Sequence, residues 1–209
     1  MLTNRFISFE GIDFSGKTTQ VQLLKEKLVK NGHHVVLIRE PGGTIISEKI
    51  RSILLDKKNK TMTPVCELLL YNAAREQLIK EKIIPALENG SFVLADRYVD
   101  STTAYQGYGR DLPQQLVDQI NNSITKACMP YLTFYLDLKP ADIIHRRKFR
   151  NSLVDRLESA GDKFYLRVYE GYHKIADKNK KRIKIMNATQ TVEQISLVIW
   201  DIVKKTYQI

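Results

Sequence analysis

Gly11-Ile12-Asp13-Phe14-Ser15-Gly16-Lys17-Thr18 fits the pattern G-x-x-x-x-G-K-[S/T], and the apolar run Phe6-Ile7-Ser8-Phe9 stands just ahead of it. A strand that ends here, a chain that wraps so that successive backbone N–H groups point inward, and a helix that begins at Lys17 would bring three sources of positive potential to one polyphosphate. In that arrangement Lys17 reaches the β- and γ-phosphates of a nucleotide, and Thr18 offers its hydroxyl to a phosphate-bound Mg2+. A plain glycine-containing turn carrying a surface lysine would not need the strand before it and the amphipathic helix after it, and both are present.

Outward from this loop, apolar strand-like runs alternate with helix-length segments: Phe6–Glu10, Val35–Ile38, Phe92–Ala95, Leu132–Leu138 and Ile183–Met186. The alternation predicts an α/β fold, a five-stranded parallel sheet with helices on both faces, whose ligands lie at the carboxyl ends of the strands. The spacing of Val21, Leu24 and Leu28 predicts a first helix over 17–30, stopped by Asn31-Gly32. A longer one starts at Pro64 with Thr63 as its cap and carries Leu68, Tyr71, Arg75 and Leu78 along one face before Pro85 and Asn89-Gly90. Further helices are expected over 113–125, from Pro140 into a basic run, over 162–178 and over 191–204.

The 209 residues suffice for one sizeable core and no Gly/Ser- or Pro-rich linker divides them, so residues 1–209 read as a single domain. No signal-peptide pattern and no apolar run of membrane-spanning length occur, so the expected compartment is the cytosol, with no membrane partner. Cys66 and Cys128 lack the spacing of a metal site and read as reduced cysteines. The formal charge of +10 is spread over helix positions, with one dense cluster at His145-Arg146-Arg147-Lys148-Phe149-Arg150. No recognisable nucleic-acid module accompanies it, and no nucleic-acid partner is expected.

Kinases, motor ATPases and GTPases share such a phosphate loop, so the remaining sequence must decide among them. An N-K-x-D stretch for reading guanine is missing. Asp96-Arg97-Tyr98 directly follows the strand Phe92-Val93-Leu94-Ala95, which puts an acid where it can hold Mg2+ or its water, and a cation where an acceptor phosphate could sit.

Five stretches then agree in order and spacing: Phe9-Glu10-Gly11-Ile12-Asp13, Arg39-Glu40-Pro41-Gly42-Gly43-Thr44, Tyr71-Asn72-Ala73-Ala74-Arg75, Asp96-Arg97-Tyr98-Val99-Asp100-Ser101 and Ala104-Tyr105-Gln106-Gly107. On these motifs the chain resembles the bacterial-type thymidylate kinases over nearly its whole length. The resemblance implies the P-loop nucleoside monophosphate kinase fold, transfer of the γ-phosphoryl of ATP to dTMP with Mg2+ as cofactor, ATP and dTMP as small-molecule partners, and a homodimer.

The resemblance also assigns roles. Residues Gly11 to Thr18 bind ATP, with Thr18 and Asp96 at the metal. Tyr71 stacks on thymine and Arg75, one helical turn on, donates to its O4. Thr102 and Gln106 hydrogen-bond near N3, and Tyr105 packs beside the sugar C2′, where it excludes a ribose hydroxyl. Arg39, Arg51 and Arg97 are candidates for the acceptor phosphate, while Glu40 and Asp13 match acidic positions near the sugar 3′-hydroxyl and the metal-associated water.

A lid over the donor falls at about 146–158 and ends in Asp155-Arg156-Leu157-Glu158. Eukaryotic-type members carry an arginine inside the phosphate loop, where this chain has Phe14, so the transition-state cation is expected from the lid, with Arg150 the first candidate and Arg147 the second. Bacterial members commonly have a small residue at the Phe14 position; the departure bears on loop geometry more than on phosphate binding, which uses backbone groups. Ala188-Thr189-Gln190 resembles the loop that contacts adenine. Two other readings stay open on sequence: a different nucleotide kinase on the same fold, and an ATP-binding switch that transfers nothing.

Overall fold

The computed structural model describes residues 2–147, 156–157 and 161–209, with the side chains of Leu2, Thr3, Ile144, His145 and Arg147 outside the description. Strands β1 (Phe6–Glu10), β2 (Val35–Arg39), β3 (Phe92–Asp96), β4 (Leu132–Asp137) and β5 (Ile183–Asn187) pair in parallel in the order β2-β3-β1-β4-β5. The phosphate-loop strand is therefore central. Its Phe9 is level with Asp96 of β3, and Arg39 of β2 is level with the same Asp96, so three strand ends open at one place.

The inner strands β1, β3 and β4 are buried almost throughout because both of their faces are covered, while β2 and β5 at the edges are partly open. Along β3 the alternation divides the core: Phe92 and Leu94 join one hydrophobic cluster, Val93 and Ala95 the other. The first cluster takes the inner stripes of α1 (Lys17–Lys30), α8 (Asp162–Lys178) and α9 (Val192–Tyr207). Val21, Leu24 and Leu28 of α1 are buried at the spacing the sequence predicted. Thr191 and Gln194 form a reciprocal capping box at the start of α9, with hydrogen bonds of 3.1 and 3.2 Å.

α2 (Ile45–Leu55) is capped by the Thr44 side chain, which accepts from Ser47 N at 3.1 Å. α3 (Pro64–Leu78) begins as expected, with Thr63 accepting from Cys66 N and Pro64 in the first turn. It does not stop at Leu78. The chain widens into π-helical turns over Ile79–Ile83 and resumes as α4 (Ile84–Glu88). Pro85 has no N–H to give the carbonyl four residues back, and the helical ladder loosens just ahead of it instead of breaking.

After β3, α5 (Val99–Thr102) runs into further π-helical turns over Thr103–Gly109, then come α6 (Gln114–Thr125) and α7 (Pro140–Arg147). Neither α2 nor the helical stretch 99–109 was marked by hydrophobic spacing. Among the described residues no helix is long and apolar enough to cross a membrane.

Candidate active site

A cavity of about 570 Å3 opens at the carboxyl ends of β1, β2 and β3. At its floor the chain leaves β1 through Gly11, whose φ of 139° is open to glycine and whose hypothetical Cβ would stand 2.6 Å from the Leu136 carbonyl. Gly16, at φ 93°, turns the chain into α1. Phe14 holds φ 65°, a left-handed conformation that costs a bulky L-residue roughly 1–3 kcal/mol, while its ring packs against the larger core cluster.

Lys17 lies almost fully buried on this floor, its Nζ donating to Ile12 O at 2.8 Å. Burial, and then the nearby Arg97 guanidinium, press its pKa down to about 8. Thr18 Oγ1 donates to Asp96 Oδ2 at 2.5 Å. This pair of hard oxygens suits Mg2+, which takes one or two protein oxygens and completes its shell with water and phosphate. Gly16, Lys17, Thr18, Phe14 and Asp13 line the cavity; Gly11, Ile12 and Ser15 shape the loop behind them.

Arg97 is the second residue held at an unusual backbone angle, φ 72° directly after β3. That turn sends its guanidinium back over the phosphate loop, where Nη1 donates to Gly11 O at 2.7 Å and Nη2 to Asp13 Oδ1 at 2.6 Å. Asp13 also accepts from the hydroxyls of Tyr165 (2.9 Å) and Tyr105 (3.2 Å). Burial opposes ionisation of Asp13, but Arg97, Lys17 and these hydrogen bonds outweigh it and hold its pKa at about 2. The Arg97 guanidinium carbon sits 5.0 Å from the Tyr105 ring centroid.

Tyr71 and Arg75, one turn apart on α3, both reach the far side of the cavity. Arg75 is 1% exposed and forms a two-pronged ion pair with Glu40, at 2.6 Å and 2.9 Å to Oε2 and 3.1 Å to Oε1, while Nη2 also donates to Thr102 Oγ1 at 2.8 Å. Burial pushes the Glu40 carboxyl above its ordinary range, and Arg75 works against that push. Thr102, Tyr105 and Gln106 line the same wall.

Arg39 and Arg51 line the cavity from β2 and α2, and both donate to Pro41 O, at 3.0 and 2.9 Å. The other end of Arg39, about half exposed, is forked on Glu48 with two bonds of 3.0 Å.

On the donor side, Ala188, Thr189 and Gln190 follow β5 but stand outside the cavity lining, with Thr189 folded onto Asn187 Oδ1. Arg146, one of the cluster but not singled out in it, connects the two parts: it donates to Phe14 O at 3.1 Å and to Ala188 O at 2.5 Å. Arg150, Asp155 and Glu158 lie outside the described residues, as does the side chain of Arg147, so the two arginines expected to supply the transition-state cation fall outside this geometry.

Sequence reading passed over Tyr165 as a ligand of Asp13, and over Glu10, which accepts from Tyr98 N at 2.8 Å and Ser101 Oγ at 2.6 Å behind Arg97. Tyr165 carried no local signal, being a tyrosine on the inner face of α8. Arg146 stands in the basic run that the sequence does mark, but nothing there sets it apart from its neighbours, and Asp142 four residues earlier reads as an ordinary helical partner for it.

With this geometry in view, comparison with known proteins is direct. The thymidylate kinase family profile matches residues 9–199. A thymidylate kinase of Thermoanaerobacter sp. (strain X514) is 45% identical over 204 residues, covering 98% of this chain and 99% of that one. A thymidylate kinase of Chlorobaculum tepidum is 48% identical over 197 residues, covering 90% and 92%. The crystal structure of a thymidylate kinase from Ehrlichia chaffeensis superposes with a TM-score of 0.78 at 34% identity, over 95% of this chain and 97% of that one. On the shared sheet order, the phosphate loop at the cavity floor and these matches, the chain belongs to the thymidylate kinase family.

Proposed function

We propose that ATP and dTMP meet in this cavity, where the chain phosphorylates dTMP to dTDP, and that its residues divide the work between the two ends. The observation that carries the reading is the convergence of Lys17, Arg97 and the Thr18–Asp96 pair at one end of a cavity whose other end is Tyr71, Arg75 and Gln106. Phosphoryl transfer asks for alignment and for cations around the transferred group more than for covalent chemistry.

At the phosphate end the loop amides and Lys17 hold the β- and γ-phosphates of ATP. Thr18 and Asp96 would hold Mg2+, which when bound neutralises part of the charge on the transferred group. Arg97, fixed by Asp13 and Gly11 O, holds the acceptor phosphate, with Arg51 and Arg39 beside it. Arg146 bridges the phosphate loop to the Ala188 loop and so sets the floor under the adenosine half, which Ala188, Thr189 and Gln190 contact. Arg150, or Arg147 in its place, supplies the remaining cation.

At the base end Tyr71 stacks on thymine. Arg75 Nη1, whose contact to Asn72 Oδ1 is a long 3.4 Å, keeps donor capacity for the base O4. Thr102 and Gln106 read N3, and Tyr105 fills the space beside C2′. Glu40 lies toward the sugar 3′-hydroxyl.

We read residues 1–209 as one kinase domain and the working form as a homodimer in the cytosol. The first is supported by two core clusters packed on one sheet, the second by Val65 and Leu69, which leave an apolar i, i+4 pair exposed on α3, and the third by free Cys66 and Cys128. The test is a coupled ADP-release assay with dTMP, dUMP, dCMP, dGMP and thymidine as acceptors. Turnover with dTMP well above the others is expected. ADP release that is independent of any acceptor would defeat the proposal.

A further inference from the structure

Glu67, on the inner face of α3, is 1% exposed, and no function assigned above uses it. Its carboxylate gathers three groups. Gln106 Nε2 donates to Oε1 at 2.8 Å, Arg110 donates through Nε and Nη2 at 3.1 Å each, and Arg156 Nη2 stands 2.6 Å from Oε2. Arg156 is itself anchored, donating from Nε to Leu54 O at 2.7 Å. Burial opposes the charge on Glu67, but the hydrogen bonds from Arg110 and Gln106 and the two guanidinium charges hold its pKa below the ordinary value.

An ionised carboxylate can only accept hydrogen bonds. The end of the Gln106 amide that faces Glu67 must therefore be the NH2, whichever way a side-chain amide might otherwise turn. The carbonyl Oε1 is left as the end turned away, in a residue that lines the cavity, and no described residue donates to it. A fixed acceptor there asks the base for a donor. Thymine carries N3–H; cytosine carries a bare N3 lone pair, which would face the oxygen unpaired.

We propose that Glu67 is a positioning residue that sets the hydrogen-bond polarity of the base pocket by fixing the orientation of the Gln106 amide. This rests on the base-pocket reading of Gln106 given above. Arg110 and Arg156 keep the carboxylate charged, so the selectivity originates in an ion cluster that does not itself touch the base.

The experiment measures the ratio of dCMP to dTMP dissociation constants by calorimetry on the whole chain, for the wild type, Glu67→Gln, Gln106→Ala and the double variant, with melting temperature and ATP affinity alongside. Glu67→Gln can present either amide end, so Gln106 loses its enforced direction and the ratio falls about tenfold or more. In the Gln106→Ala background the same substitution changes the ratio no further, which a merely structural role would not produce. Glu67→Asp is the second variant. It keeps a negative charge in the cluster but, one methylene shorter, loses reach to Gln106, and it too lowers the ratio. An unchanged ratio in Glu67→Gln or in a folded Glu67→Asp overturns the role of Glu67 while Gln106→Ala still lowers it. An unchanged ratio in Gln106→Ala overturns the base-pocket reading itself, and the present inference with it.

Discussion

Arg75→Ala tests how the base end of the cavity is held. Arg75 and Glu40 are 1% and 5% exposed at their side chains and meet at 2.6 Å, so each lies where water cannot replace the other. Removing one partner of a buried pair typically costs about 3–5 kcal/mol, because the remaining charge is stranded. For a chain of this size that corresponds to a fall in Tm of roughly 6–20 °C. The deficit should also depend on pH. Glu40 already has a raised pKa from burial, and without Arg75 nothing opposes that rise. A carboxyl whose folded pKa lies above its unfolded value favours the folded state at low pH and loses that contribution as pH rises. The Tm deficit of Arg75→Ala is therefore expected to be smaller near pH 5 than near pH 8. Glu40→Gln in the Arg75→Ala background removes the stranded charge and should recover part of the loss. KM for dTMP should rise in the single variant far more than KM for ATP. A Tm within about 2 °C of wild type, or no recovery in the double variant, would refute the reasoning.

Lys17→Ala should lower kcat on the order of a hundredfold or more while leaving Tm nearly unchanged, since it removes the cation from the β- and γ-phosphates; near-normal turnover in a steady-state assay would contradict its role. In the wild type, Lys17 loses charge as pH passes about 8, so ATP affinity measured by calorimetry should weaken between pH 7 and 9. Burial, and then repulsion from Asp100, raise the Glu10 pKa to about 8. The folded chain thus keeps a proton that the unfolded chain releases near its ordinary value. Wild-type stability should fall as pH rises across that window, and Glu10→Gln, followed by thermal denaturation, should flatten the slope; a parallel slope contradicts this. Arg150→Ala should reduce kcat with little change in either KM, with Arg147→Ala as its pair: swapped effects make Arg147 the transition-state cation, and full kcat in both makes the cluster a solvated face.

Much of the fold could be read in advance because each strand combines a short apolar run with a stop, and each long helix carries a buried stripe. Thr63-Pro64 announced its helix through capping chemistry as well as through the stripe that follows it. α2 escaped because Ile45, Ile46 and Ile53 are exposed and its inner face is built from Ser47 and Leu54, which breaks the apolar spacing. The stretch 99–109 escaped for a related reason: its inner residues are those of the site, Thr102, Tyr105 and Gln106, and its turns are wider than the 3.6-residue period. In the site itself, single residues at strand ends were legible by position. Their partners were not, because Tyr165 lies 152 residues from Asp13, and Glu67 reaches Gln106 across 39.

Those distant partners explain how a cavity rich in cations can exist before its substrates arrive. Lys17 and Arg97 are close enough that Arg97 depresses the Lys17 pKa, so cations alone would repel one another and recruit disordered water. Each described cation is instead tied to a fixed acceptor: Arg97 to Asp13 and Gly11 O, Arg75 to Glu40, Arg39 to Glu48, Arg146 to Phe14 O and Ala188 O, Lys17 to Ile12 O. The acceptors are of two kinds with different consequences. Carbonyls such as Ile12 O and Gly11 O hold a cation by a neutral dipole and yield it readily to a phosphate oxygen, which makes the stronger, charge-assisted bond. Carboxylates hold more firmly: Glu40 keeps Arg75 because separating a buried ion pair is costly, and the partly exposed Asp13 holds Arg97 by charge as well as by a hydrogen bond. On the division of the cavity proposed above, Lys17 would be free to turn to ATP, Arg97 would stay aligned by Asp13 while its other terminal nitrogen turns to the acceptor phosphate, and Arg75, locked on Glu40, would have its Nη1 edge left for the base. On that proposal reorganisation would be confined to the groups that meet phosphate, and the charge that develops during transfer would meet cations already in place.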